Sequence, residues 1–92
     1  MDVEYDPLKN HQNIQRRELS FDRARDLDWK TAQIHLDERL DYGEVRWVAL
    51  GHLDGRLHVL VFTETRTGLR VISFRKANSR EREAYEQAQA TG

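Results

Sequence analysis

Cysteine is absent from the 92 residues, which rules out a disulfide framework, a thiolate metal site and a cysteine nucleophile together. Neither a G-x-S-x-G element nor a glycine-rich phosphate loop occurs, so a serine-hydrolase elbow and nucleotide hydrolysis on a P-loop are set aside as well. No apolar run reaches the length that crosses a bilayer. The opening segment, MDVEYDPLKN, is too polar for a signal peptide. A soluble, cytoplasmic chain without a membrane partner is therefore expected. Excess charge is lacking too: the net value is −1 at neutral pH, which argues against a general nucleic-acid coat protein.

What charge there is has been distributed unevenly. Residues 1–42 carry seven Lys/Arg against ten Asp/Glu, whereas residues 43–92 carry eight against six. Between Arg66 and Arg82 there are six cations and one acid, Glu81. One local patch can thus bind phosphates although the whole chain is near neutral. Arginine suits that task because its planar fork of donors matches phosphate oxygens.

A chain of this length builds one domain around a single modest core. Asp6-Pro7 reads as a helix start, because Asp caps orphan amides and Pro is tolerated at the first helical position. The first helix is expected over 7–17, with Leu8 and Ile14 facing inward. Ser20 is expected to cap a short second helix in which Phe21, Ala24 and Leu27 share a face. Thr31–Leu36 alternates like an edge strand. Three strands then follow at 45–53, 56–65 and 69–76, joined by turns at Asp54-Gly55 and Thr67-Gly68. The apolar run LHVLVF marks the middle one as central. Asn78 with Glu81 resembles a capping box opening a last helix over 79–89. The fold class is α+β: N-terminal helices on an antiparallel meander, closed by a C-terminal helix.

Alternation puts Arg70, Ile72 and Phe74 on one side of the last strand, and Val71, Ser73 and Arg75 on the other. Arg70 and Arg75 can share a face only if a bulge or the strand end intervenes. His58, Leu60, Phe62 and Glu64 fall together on the middle strand, and Glu44, Arg46 and Val48 on the first. The histidines are His11, His35, His52 and His58; only His52 and His58 are near in sequence, and their six-residue separation is not a recognised ligand spacing. No metal and no cofactor are expected. RNA cleavage by the substrate's own 2′-hydroxyl, or binding alone, remains. For cleavage, Arg supplies charge stabilisation, and proton transfer falls to His, Glu or Tyr, here His58, His52, Glu44, Glu64 or Tyr85. Trp29 and Trp47 read as core residues.

An ordered set of short segments resembles the BrnT family of bacterial type II toxins. They are Asp6-Pro7 with Lys9 and Asn13, Ser20-Phe21, Asp41-Tyr42-Gly43-Glu44 with Arg46, Ala49-Leu50-Gly51, Gly55-Arg56-Leu57 and Val61-Phe62-Thr63. Arg70-Val71-Ile72-Ser73 with Arg75 and Ala77, then Arg80-Glu81 with Tyr85-Glu86, complete the set. The resemblance implies a fold like the RelE-type ribonuclease toxins and RNA cleavage that blocks translation. It also implies neutralisation by a BrnA-like antitoxin, through which alone the toxin would reach operator DNA. Carried over position by position, Arg75 is the first candidate for phosphate or transition-state stabilisation, then Arg46 and Arg70, with Glu44, His58 and Glu64 as partners. The chain departs from the family where a Lys-His-Gly run usually follows the first helix; here stand Arg16-Arg17-Glu18. That removes an imidazole and an easy left-handed helix stop. The alternative is a non-catalytic toxin-like module that acts in a protein complex or in operon regulation.

Overall fold

The computed structural model describes residues 1–91. Its elements are β1 (Asp2–Glu4), α1 (Pro7–Arg17), a 3-10 helix (Phe21–Asp26), β2 (Gln33–Leu36), β3 (Trp47–Leu53), β4 (Arg56–Glu64), β5 (Gly68–Lys76) and α2 (Ser79–Thr91). The strands form one sheet in the order β1-β5-β4-β3-β2, so β4 is central and β2 is an edge. The α+β class holds, with one amendment: β2 to β5 are antiparallel neighbours, but β1 adds a parallel strand against β5, making the sheet mixed. Three residues, of which only Val3 is apolar, are too few to read as alternation. β1 exists because β5 presents a free edge, and because Gly68 lets it approach: a Cβ there would lie 1.9 Å from the Asp2 carbonyl oxygen.

Asp54 and Gly55 both take positive φ, 52° and 77°, as the right-handed twist of a two-residue hairpin requires. Arg23 holds the turn from outside, donating to both Asp54 carboxylate oxygens at 2.9 and 3.1 Å. On one face of the sheet Phe21, Ala24 and Leu27 pack against Leu60, Phe62 and Phe74. The expected second helix is a 3-10 helix, in which residues three apart eclipse; that is why all three apolar side chains bury together. Trp29 and Trp47 pack at the margin of this core.

The inward assignment of Leu8 and Ile14 is overturned: they are 64% and 42% exposed. α1 is held by asparagine instead. Asn10 Oδ1 accepts from the Phe21 amide at 2.8 Å, and buried Asn13 donates from Nδ2 to the carbonyls of Leu19 and Phe74, each at 3.0 Å. These bonds occupy the groove that apolar side chains would otherwise fill, leaving Leu8 and Ile14 outside.

α1 stops at Glu18, whose φ of 55° and ψ of 37° are left-handed, and whose amide donates to the Ile14 carbonyl. A side chain in that conformation costs about 1–2 kcal/mol, against about 0.5–1 kcal/mol of chain entropy for glycine. Glu18→Gly is therefore expected to raise stability by about 0.5–1 kcal/mol, read as a higher urea midpoint at unchanged slope.

Candidate active site

The second face of the sheet carries Val48, Leu57, Val59 and Val61 beneath Tyr85 of α2. Its chemistry depends on a β-bulge. Val61 pairs with Ser73 but Phe62 pairs with Val71, so Ile72 is an extra residue in β5. The bulge resets the alternation. Val71 and Phe74 both enter the first core, while Arg70, opposite Thr63, and Arg75, opposite Val59, both project on the α2 side. Arg46 precedes β3 by one residue and continues the phase of Val48. All three candidate arginines thus belong to one face.

Their surroundings differ. Arg70 is exposed, and among the described residues no carboxylate pairs with it. Arg46 donates from Nε to Glu44 Oε2 at 2.9 Å and lies 4.0 Å from the centre of the Tyr42 ring. Arg75 meets Glu81 through two parallel bonds of 2.8 and 2.9 Å, and also donates to the Lys76 carbonyl at 3.2 Å. Glu81 in turn closes the capping box of α2: Asn78 N donates to Glu81 Oε1 and Glu81 N to Asn78 Oδ1, both at 2.9 Å. One carboxylate thus starts α2 and fixes the angle of the Arg75 fork. The Arg75 fork holds the Glu81 carboxyl below its ordinary pKa, so Glu81 stays ionised and is a poor proton acceptor.

Arg75 and Glu81 lie in a cleft of about 380 Å³ between the sheet and α2, lined also by His35, Arg39, Ser73 and Tyr85. Arg39 is held in the same manner as Arg75. Its Nε and one terminal nitrogen donate to the two oxygens of Asp37, each at 2.8 Å, and the Asp37 side chain is only 1% exposed. Those bonds from Arg39 hold the Asp37 carboxyl well below its ordinary pKa. Each arginine keeps N–H donors that its carboxylate does not use, since a guanidinium has five. Tyr85 donates to the Thr31 carbonyl at 2.8 Å, which anchors α2 beside β2. His35 is exposed, pairs with Val48 across from β2, and is the one imidazole lining this cleft among the described residues. Sequence reading missed His35 and Arg39. Their signal was the edge-strand alternation, which puts Gln33 and His35 in one phase, but only the register ties that phase to Arg75.

Three expected partners lie elsewhere or are engaged. Glu44 is the ion-pair partner of Arg46. His58, which pairs with Gly51 and Lys76, and Glu64, which pairs with Leu69, are on the α1 face of the sheet, opposite the arginines. His52 stacks edge-on against Tyr85, ring centres 5.4 Å apart. His58 is buried against Phe74, and its Nδ1 lies 2.7 Å from the Arg56 carbonyl; a carbonyl only accepts, so Nδ1 carries the proton. Burial pushes the His58 pKa down. The unfolded chain then binds a proton that the folded chain resists. Its contribution to stability is full above about pH 6.5 and is lost as pH falls below that. His58→Gln is expected to flatten the decline of the urea midpoint between pH 7 and 5. The carboxylates of Asp37 and Glu81, both depressed, add a separate loss below about pH 4.

Among known families, the model described as the ribonuclease toxin, BrnT, of type II toxin-antitoxin systems matches residues 5–81. The chain belongs to the BrnT family. The match spans most of the chain, from Tyr5 through the Glu81 that grips Arg75. No curated protein matches it. At Arg16-Arg17-Glu18, where the resemblance implies Lys-His-Gly, the structure shows how α1 ends. Glu18 takes the left-handed conformation without a glycine, and Arg17 donates to the Oδ1 of Asn13 at 3.1 Å. α1 therefore has both a helix stop and an asparagine anchor with neither glycine nor histidine at these three positions. No helix of the described residues is long and apolar enough to cross a membrane, and no group of three His, Asp or Glu side chains among them is arranged to hold a metal ion.

Proposed function

We propose that this BrnT-family chain cleaves RNA at the cleft between the sheet and α2, without a metal ion, and thereby blocks translation in the cytoplasm. The ribose 2′-oxygen attacks the adjacent phosphorus, the bond from phosphorus to the 5′-oxygen breaks, and a 2′,3′-cyclic phosphate and a 5′-hydroxyl result. The enzyme supplies no nucleophile. Arg75 and Arg39 meet the charge that builds on the phosphoryl oxygens, and Arg70 and Arg46 hold the flanking backbone. His35 is the proton carrier, taking the 2′-hydroxyl proton or delivering one to the leaving oxygen. The observation that carries the reading is the bulge at Ile72, which puts Arg70 and Arg75 on one face.

A BrnA-like antitoxin is the proposed neutralising partner, and operator DNA is reached only through that complex. Expression of the chain alone is expected to arrest growth. Co-expression of the neighbouring gene, if it encodes a small ribbon-helix-helix protein, should restore growth. Purified chain should cleave RNA in excess EDTA. Growth unaffected by a well-folded, well-expressed chain would reject the toxin reading.

The grip of Glu81 on Arg75 favours one rival, a non-catalytic module whose arginines serve only the fold. The rival predicts tight antitoxin binding with no cleavage of RNA, free or ribosome-bound. Under the catalytic reading, Glu81 is a placeholder for phosphate: its two oxygens meet the guanidinium as phosphate oxygens would.

A further inference from the structure

A second cleft, larger than the one beneath α2, lies between the last turn of α1 and the β3–β4 hairpin. It encloses about 770 Å³ and is lined by Arg16, Arg17, Arg56, Lys76 and Arg75, with His58 at its wall. Two acids also line it, Asp54 and Glu18. Asp54 is already answered by Arg23. Arg16, Arg56 and Lys76 are exposed, and among the described residues none has a carboxylate within salt-bridge distance. Arg17 is bonded to a neutral amide. The cleft therefore concentrates positive charge that the fold does not use.

We propose that this cleft is a second phosphate site, holding the backbone of the RNA strand whose scissile phosphate lies in the α2 cleft. The inference rests on the ribonuclease reading above. Two observations join the clefts. Arg75 lines both of them, and Lys76, next in the strand, faces the larger one opposite His58. A strand gripped at Arg75 passes over the end of β5 into a groove lined by guanidinium and ammonium groups. Because His58 resists protonation, the wall remains neutral and the charge comes from the rim. Contacts here are to phosphates, so they add affinity with no base preference.

The test is binding of a fluorescent 2′-O-methyl decanucleotide, which lacks the attacking hydroxyl and stays intact, measured by anisotropy across salt concentrations. Each phosphate contact on a single strand contributes about 0.7 to the slope of log K against log salt. The triple variant Arg16→Gln/Arg56→Gln/Lys76→Gln is expected to lower that slope by about 2. That corresponds to about 10²-fold weaker binding at 0.1 M salt, with the two lines meeting near 1 M. All three side chains are exposed; should the triple variant melt early, the single variants, each lowering the slope by about 0.7, take its place. Cleavage of saturating RNA should keep its kcat while KM rises. Wild-type binding with an unchanged slope in the variants would overturn the second site and leave the ribonuclease reading intact. Wild type that neither binds nor cleaves RNA would remove both. Poly-glutamate binding lost in the variants while RNA binding persists would show a site for an acidic polypeptide, and would also overturn the proposal.

Discussion

Arg75→Ala is expected to lower RNA cleavage by about 10²–10³-fold, the usual cost of removing one preorganised donor from developing charge. Growth arrest on expression should disappear with it. The fold should survive, because Asn78 and Glu81 close the capping box without Arg75, and the guanidinium is partly exposed. The exchange does free the Glu81 carboxylate, which leaves a negative charge where a phosphate should sit and adds to the loss. Arg75→Lys separates charge from geometry. It restores a cation but not a two-pronged fork, so its rate should fall between wild type and alanine. A folded Arg75→Ala variant as toxic as wild type would remove this residue from the mechanism.

His35→Ala is expected to cost a further large factor, about 10²-fold or more, typical of a lost general acid or base. RNA affinity should change little, since the phosphate contacts come from arginine. The loss should therefore appear in kcat and leave KM nearly constant. His58→Ala should differ in kind. That ring is buried on the other face, so the variant should lose stability and keep its turnover at temperatures where it is folded. If the two histidines exchanged these signatures, the cleft assigned to catalysis would be the wrong one.

Most of the scaffold was legible because it follows local rules. Asp6-Pro7, Asp54-Gly55 and Asn78 with Glu81 each specify backbone geometry within a few residues, and the elements they bound agree closely with expectation. The apolar run 57–62 has no polar phase, which is how a central strand reads. Two things were hidden. One is α1, where buried Asn13 holds the helix while Leu8 and Ile14 are exposed; hydrophobic periodicity cannot register a helix anchored by amides. The other is the bulge. Strict alternation separates Arg70 from Arg75, and one unpaired residue, Ile72, reunites them. Its position is set by which apolar side chains, Val71 and Phe74, fit the core on the far side of the sheet.

The same non-locality hid part of the site. His35 and Arg39 lie far from Arg75 in sequence, and line one cleft with it only because β2 pairs at the far edge and α2 crosses the sheet between them. The family resemblance pointed to the arginines of β5, whereas the imidazole that lines the same cleft as Arg75 required the register.

The central claim is that the RNA's own 2′-hydroxyl is the nucleophile and that arginine, with no metal, takes up the charge. It is tested most directly by the chemistry of the fragment ends, after incubation of end-labelled RNA with the purified chain in EDTA. The expected products carry 2′,3′-cyclic phosphates and 5′-hydroxyls, and a single 2′-O-methyl group at the cut site should prevent cleavage there. Fragments ending in 3′-hydroxyl and 5′-phosphate, or cleavage that EDTA abolishes, would contradict the account.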